Sequence, residues 1–314
     1  MSFSDAWNSP IYRTYLTITV TALLLGGAIL AYLTLIRHRP SLSLWATYRG
    51  WLMIAPLVLG TIALGRAAVI VFVTALGIAA FVEFARATTL LKNRLMSAVV
   101  VLAIVSVGVV AWVPDPRLEK PGWYGLFAVM PVWFTALLLV IPVLRNDPRG
   151  QLQAVALSLV GFTYFGWMFG HLAYLANSNN PYGYLLFLFF AVSVNDVAAF
   201  TFGKLFGSRK LCSRISPNKT WGGALGAFIV SMMMPWVLHF SFPQFDATAL
   251  VLTGLIVGIG GQLGDLTISF IKRDLEIKDM GSLIPGHGGI LDRIDSLIYT
   301  APLFFHMVRW LYDI

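Results

Sequence analysis

The chain has 314 residues, of which 58% are hydrophobic and 11% charged, with a formal net charge of +8 and a mean hydropathy of +0.79. Water-soluble domains hold about 45–50% apolar residues, so this composition excludes an ordinary soluble enzyme and implies a polytopic membrane protein. Cys212 is the only cysteine, which excludes disulfides within the chain and thiolate metal sites.

Spanning segments must satisfy their own backbone groups, and runs of about twenty apolar residues without strand alternation do so as helices. Ten candidate spans follow in chain order: 15–35, 51–64, 67–84, 96–112, 125–143, 155–174, 184–203, 222–238, 249–271 and 296–311. Only Gly65 and Arg66 separate the second from the third, so these form either a tight hairpin or one distorted unit. The expected fold is therefore an all-α integral membrane bundle of nine or ten transmembrane helices.

The first span lacks the basic front and small-residue cleavage site of a secretory signal and is expected to be retained. With ten spans and the amino terminus outside, seventeen of the 22 Lys and Arg residues fall in cytoplasmic loops, and Arg13, Arg66, Arg117, Lys120 and Arg309 fall elsewhere. The same arrangement puts the two most polar loops, 204–221 and 272–295, on the cytoplasmic face. Basic loop charge beside an anionic leaflet argues for lipid head groups, and without a basic arm or nucleic-acid module no nucleic-acid partner is expected.

Residues 1–150 read as amino-terminal transmembrane helices with little chemistry. They could form a packing or homodimer region, although no motif supports dimerisation. Glu83 is the buried-acid candidate there, with two readings left open: a membrane-edge carboxylate paired with Arg86, or a functional group.

The polar residues that need explaining lie in residues 151–314. Asn195-Asp196 sits inside the seventh span, eight residues before Lys204, which places the acid roughly 12 Å below the loop. The following loop carries Ser216-Pro217-Asn218-Lys219-Thr220 before Gly222-Gly223, a flexible helix entrance able to hold phosphate oxygens on backbone N–H groups. In the ninth span Asp265, Ser269 and Lys272 share one helical stripe. His287-Gly288-Gly289 then leads into Asp292-Arg293 and Asp295-Ser296. Nine charged residues fall between Ser269 and Asp295. Carboxylates on two or more helices, with hydroxyls and cations nearby, suit Mg²⁺ and phosphates, because hard cations take oxygen ligands and Mg²⁺ bridges substrate phosphates. Phosphoryl or nucleotidyl transfer is the natural chemistry.

The stretch Ser269 to Asp295, with S-x-x-K-R, then K-D, then H-G-G-x-x-D-R-x-D, resembles the signature of the CDP-diacylglycerol synthases, the phosphatidate cytidylyltransferases. Upstream, D-x-x-A-F-x-x-G-K from Asp196 to Lys204 and S-P-N-K-T from Ser216 to Thr220 look like that family too. Phe200 departs from an expected tyrosine. The resemblance implies transfer of a cytidylyl group from CTP to phosphatidic acid in the bilayer, with Mg²⁺ and a potassium ion as second metal. It puts the metal carboxylates on Asp265 and Asp292, and the depth of Asp196 adds that residue as a third ligand or supporting partner. Lys219, Lys272, Arg273 and Arg293 would neutralise the phosphates, with Ser216, Thr220 and Ser269 as hydrogen-bonding or metal partners. Lys204, Lys278 and Asp295 complete the expected substrate contacts. His287 either donates a proton to departing pyrophosphate or braces the turn.

Two other readings remain at this point. A related CTP-dependent lipid enzyme such as a polyprenol kinase would use the same metal chemistry with an alcohol acceptor. A secondary transporter would also place carboxylates in mid-membrane, but no inverted repeat is visible. The expected setting is a bacterial inner membrane with the site facing the cytoplasm.

Overall fold

A computed structural model describes residues 1–36, 42–281 and 288–312. The chain folds as α1 (Phe3–Asn8), α2 (Pro10–Leu35), α3 (Leu42–Leu64), α4 (Arg66–Ala87), α5 (Arg94–Trp112), α6 (Tyr124–Arg145), α7 (Gln151–Leu175), α8 (Pro181–Phe206), strands β1 (Lys210–Cys212) and β2 (Ser216–Thr220), then α9 (Trp221–Val237), α10 (Ala247–Asp274) and α11 (Leu291–Tyr312). Short 3₁₀ turns occupy Leu90–Lys92 and His239–Ser241. Among the described residues, eight helices are long and apolar enough to cross a membrane: α2 to α8, and α10. α9 is apolar but has 17 residues, and α11 carries Asp292, Arg293, Asp295 and Arg309. These two complete the ten expected long helices.

Local sequence sets most helix starts. Ser9 caps α2 through Tyr12 N–H with Pro10 at the first position, Asn180 caps α8 through Gly183 N–H ahead of Pro181, and Asp246 caps α10 through Ala249 N–H. The break between the second and third spans is real: α3 ends at Leu64, Gly65 takes φ of 101°, and α4 begins at Arg66. α3 also begins nine residues earlier than the hydrophobic run suggested, at Leu42. α7 and α10 each contain a π-helical stretch, Phe162–Met168 and Ile256–Gly260, whose wider turn shifts the phase of the residues that follow.

Both polar loops are shorter than expected. α8 continues to Phe206, and 210–220 forms an antiparallel hairpin pairing Lys210 with Thr220 and Cys212 with Ser216. α10 continues to Asp274 and α11 starts at Leu291, so Asp292, Arg293 and Asp295 stand on a helix and not in the loop.

Helices in a bilayer gain little from burying apolar area against one another, so close packing and small residues hold them together. α8 and α9 form the most extensive pair, with α10 against α11 next. At Gly223 a Cβ would lie 2.5 Å from the Ala199 carbonyl oxygen, and at Gly264 it would run into the Asp295 carbonyl. These two glycines let backbones meet where the acids are carried. The core is continuous across residue 150: Phe81, Phe84 and Val100 pack with Phe162, Phe165, Leu297 and Ile298.

Candidate active site

A cavity of ≈ 640 Å³ opens between α8, the hairpin, α9, α10 and α11. Asp196 and Lys204 reach it from α8, Lys219 and Thr220 from β2, Asp265 and Lys272 from α10, and Asp292, Arg293 and Asp295 from α11. Residues scattered over a hundred positions of sequence thus share one chamber.

Two ion pairs organise it. Lys219 Nζ lies 2.6 Å from Asp265 Oδ2, and Lys272 Nζ lies 2.7 Å from Asp292 Oδ1. Asp265 Oδ1 also accepts a hydrogen bond from Ser269 Oγ at 3.2 Å. Asp292 Oδ2 accepts the backbone N–H groups of Gly289 at 3.2 Å and Met280 at 3.4 Å. The helical stripe therefore explains the Ser269–Asp265 bond but not the place of Lys272, which neutralises an acid on the neighbouring helix. The Lys219–Asp265 pair is the more open, with side-chain exposures of 23% and 33%, against 13% and 7% for Lys272–Asp292. Incoming phosphates can compete for Lys219 more readily than for Lys272.

Asp196 and Asp295 have no ion pair within salt-bridge reach among the described residues, but both feel the charge of Asp265, and Asp196 also feels Lys219 and Arg293. Asp295 is buried and accepts the N–H of Ser296 at 2.7 Å, while the buried Ser296 hydroxyl has no hydrogen-bond partner among the described residues. The carboxylates of Asp196, Asp265 and Asp295 form an oxygen-rich lining that fits a hard cation. No three of the described His, Cys, Asp and Glu side chains approach closely enough to cage a metal by themselves. Such a donor set fits Mg²⁺, which is held by one or two carboxylates together with substrate phosphates and water.

The remaining expected residues divide. Lys204 Nζ lies 4.2 Å from the Phe200 ring centroid at the cavity mouth, a contact available to phenylalanine without a hydroxyl. Thr220 lines the cavity, yet its hydroxyl accepts the Gly223 N–H at 3.2 Å and so caps α9. Arg273, Ser216, Ser269 and Lys278 are not among the lining residues. The Arg273 guanidinium instead donates to the carbonyls of Ile215 and Ile277, tying the hairpin to the end of α10. His287 lies outside the described residues.

Gln262, Asn218 and Asp279 also line the cavity. Asp279 stands in the K-D step of the signature, so the sequence carried a signal for it, whereas Gln262 is set by helix phase and had none. Asn195, next to Asp196, donates to Ser231 Oγ at 2.7 Å and joins α8 to α9. Glu83 does not turn to Arg86 but accepts the backbone N–H groups of Ile290 and Leu291 at 3.0 and 2.9 Å.

Residues 45–311 match the cytidylyltransferase family, covering most of the chain and every element of the cavity. The chain belongs to the cytidylyltransferase family. It is 40% identical over 195 residues to the phosphatidate cytidylyltransferase of Staphylococcus saprophyticus, covering 62% of this chain and 70% of that one. It is also 40% identical over 169 residues to the protein of that name in Staphylococcus haemolyticus, covering 53% of this chain and 64% of that protein. An uncharacterized protein of Escherichia coli, YnbB, is 40% identical over 173 residues, or 54% of this chain and 58% of its own. The matches to these last two proteins thus span less than two thirds of their lengths. The family and the apolar helices together make this an integral membrane protein of the nucleotidyltransferase class.

Proposed function

We propose that this protein transfers a cytidylyl group from CTP to phosphatidic acid, giving CDP-diacylglycerol and pyrophosphate. The observation that carries this reading is the convergence of Asp196, Asp265, Asp292 and Asp295 with Lys204, Lys219, Lys272 and Arg293 on one cavity. The similarity to the staphylococcal phosphatidate cytidylyltransferases supports the choice of lipid.

The phosphate oxygen of phosphatidic acid attacks the α-phosphorus of CTP in line. A new P–O bond forms as the α–β phosphoanhydride bond breaks, and the electron pair leaves with pyrophosphate. The nucleophile is already anionic, so no strong base is needed. Lys219 and Lys204, the more open cations, receive the triphosphate, and Arg293 lines the same cavity within electrostatic reach of Asp196. Lys272, tied to Asp292 at 2.7 Å, holds that carboxylate in its orientation. Asp265 and Asp292 would hold Mg²⁺, with Asp196 beside them, and the metal would supply charge neutralisation on the transferring phosphoryl group. Potassium is proposed as the second metal. Serine and threonine oxygens contribute through Ser269, which orients Asp265, and Thr220, which fixes the helix entrance.

The proposed orientation puts this cavity at the cytoplasmic face of a bacterial inner membrane. It is supported by the bias of Lys and Arg toward one set of loops and by the bacterial source of the relatives.

Detergent-purified protein supplied with CTP, Mg²⁺ and phosphatidic acid should release pyrophosphate. Omission of either substrate, chelation of the metal, or Asp265→Asn should reduce turnover by about 10²–10³-fold or more. Conversion of CTP to CDP with a polyprenol, without pyrophosphate, would make the acceptor an alcohol and replace this reading.

A further inference from the structure

Glu83 is the one acidic residue between Asp5 and Asp115. It sits on the packed face of α4 with 1% of its surface exposed. Among the described residues it has no salt bridge. Its two carboxylate oxygens instead take the N–H groups of Ile290 and Leu291, 207 and 208 residues further along the chain.

Those N–H groups belong to the start of α11. A helix ordinarily satisfies its first donors with a Ser, Thr, Asp or Asn at the cap. Gly288-Gly289-Ile290 offers no such side chain, so the cap comes from α4. A buried anion at a helix amino terminus is also favoured by the helix dipole. The fit is close on both sides: a Cβ on either Gly281 or Gly289 would run into the Glu83 carboxylate. Asp292, in the first turn of α11, completes the arrangement by binding the N–H groups of Gly289 and Met280. Asp292 thus joins Met280 to Gly289, while Glu83 binds Ile290 and Leu291 and packs against Gly281 and Gly289.

We propose that Glu83 is a positioning residue for the cytidylyl-transfer site, setting the start of α11 and through it the placement of Asp292 and Asp295. This rests on the function proposed above. Glu83 is absent from the cavity lining and touches neither substrate in this scheme; it acts through the helix it caps. The amino-terminal half of the chain thereby acquires a role in the site that its lack of polar motifs concealed.

Glu83→Gln tests this with little change of volume. The amide keeps one acceptor oxygen but turns an NH₂ toward a backbone N–H, so one of the two cap bonds is lost. Turnover should fall by about 10–100-fold, the usual cost of losing a group that orients a metal ligand, while half-saturating CTP changes little because Lys219 and Lys204 are not moved. Glu83→Asp, which keeps the charge but shortens the reach, should fall between Gln and wild type. Hydrogen exchange gives a readout independent of activity: amides 290–291 should exchange faster in Glu83→Gln, while α8 and α9 keep wild-type protection. Arg86→Ala, an exposed neighbour on α4, should change none of these. Wild-type turnover with wild-type protection at 290–291 would overturn the proposal, as would loss of protection throughout the bundle, which marks a global packing role. If wild-type protein releases no pyrophosphate, the function fails instead, and the exchange result alone decides the cap.

Discussion

Helices α2 and α10 have similar lengths, 26 and 28 residues, yet they do opposite things. The most apolar stretch of α2 has mean hydropathy 2.1 and none of it is buried inside the protein; that of α10 has 1.6 and is 50% buried. The more hydrophobic helix is thus the one that contributes less to the packed interior. Lipid is as good a solvent for Leu24 and Leu25 as another helix would be, so nothing drives those side chains inward. α10 gives up hydropathy for Gly264, which lets α11 approach, and for Gln262 and Asp265, which line the cavity. Between these two helices, the dip in hydropathy marks where the chemistry sits.

Three substitutions sharpen that contrast. Gly264→Ala should have the largest effect of the three, because its methyl group meets the Asp295 carbonyl of α11 and not a movable side chain. Parting the two helices should cost about 1–3 kcal/mol, seen as a lowered thermal midpoint in detergent, together with loss of turnover. A midpoint and activity equal to wild type would refute the close approach. Lys219→Ala removes the partner of Asp265 and one receiver of the triphosphate. Half-saturating CTP should rise by about tenfold, in line with loss of one charge-assisted contact, with the dependence on phosphatidic acid less affected. An unchanged CTP dependence would take Lys219 out of the nucleotide site. Leu24→Ala, on α2 at 68% exposure, should change stability by no more than about 0.5 kcal/mol and leave turnover intact. A marked loss there would mean that α2 packs against something beyond this chain.

Several elements were legible in the sequence because their causes are local. Length and apolar content alone place nine or ten helices, since a bilayer leaves the backbone no other way to satisfy its donors. The caps Ser9-Pro10 and Asn180-Pro181 start α2 and α8 five and three residues ahead of the hydrophobic runs at 15 and 184. The extent of α11 was less legible: Asp292, Arg293 and Asp295 lower the hydropathy of its first turn, so a membrane-span criterion starts it five residues late. The hairpin at 210–220 was missed because each strand is short and polar, with no alternating pattern to reveal it.

The sequence by itself determined the class of the protein, the family through the motif from Ser269 to Asp295, and the set of charged residues available for chemistry. Only the tertiary structure decided which of those charges meet. Asp265 and Lys272 share a stripe, but seven residues of helix separate them by about 10 Å, so each takes a partner from another element: Lys219 from the hairpin and Asp292 from α11. The role of Glu83 was further out of reach, because its partners are backbone N–H groups, which every residue but proline carries and which no motif can mark. Helical spacing reports neighbours along one helix, whereas pairing across helices depends on crossing points set by Gly223, Gly264 and the packing around them.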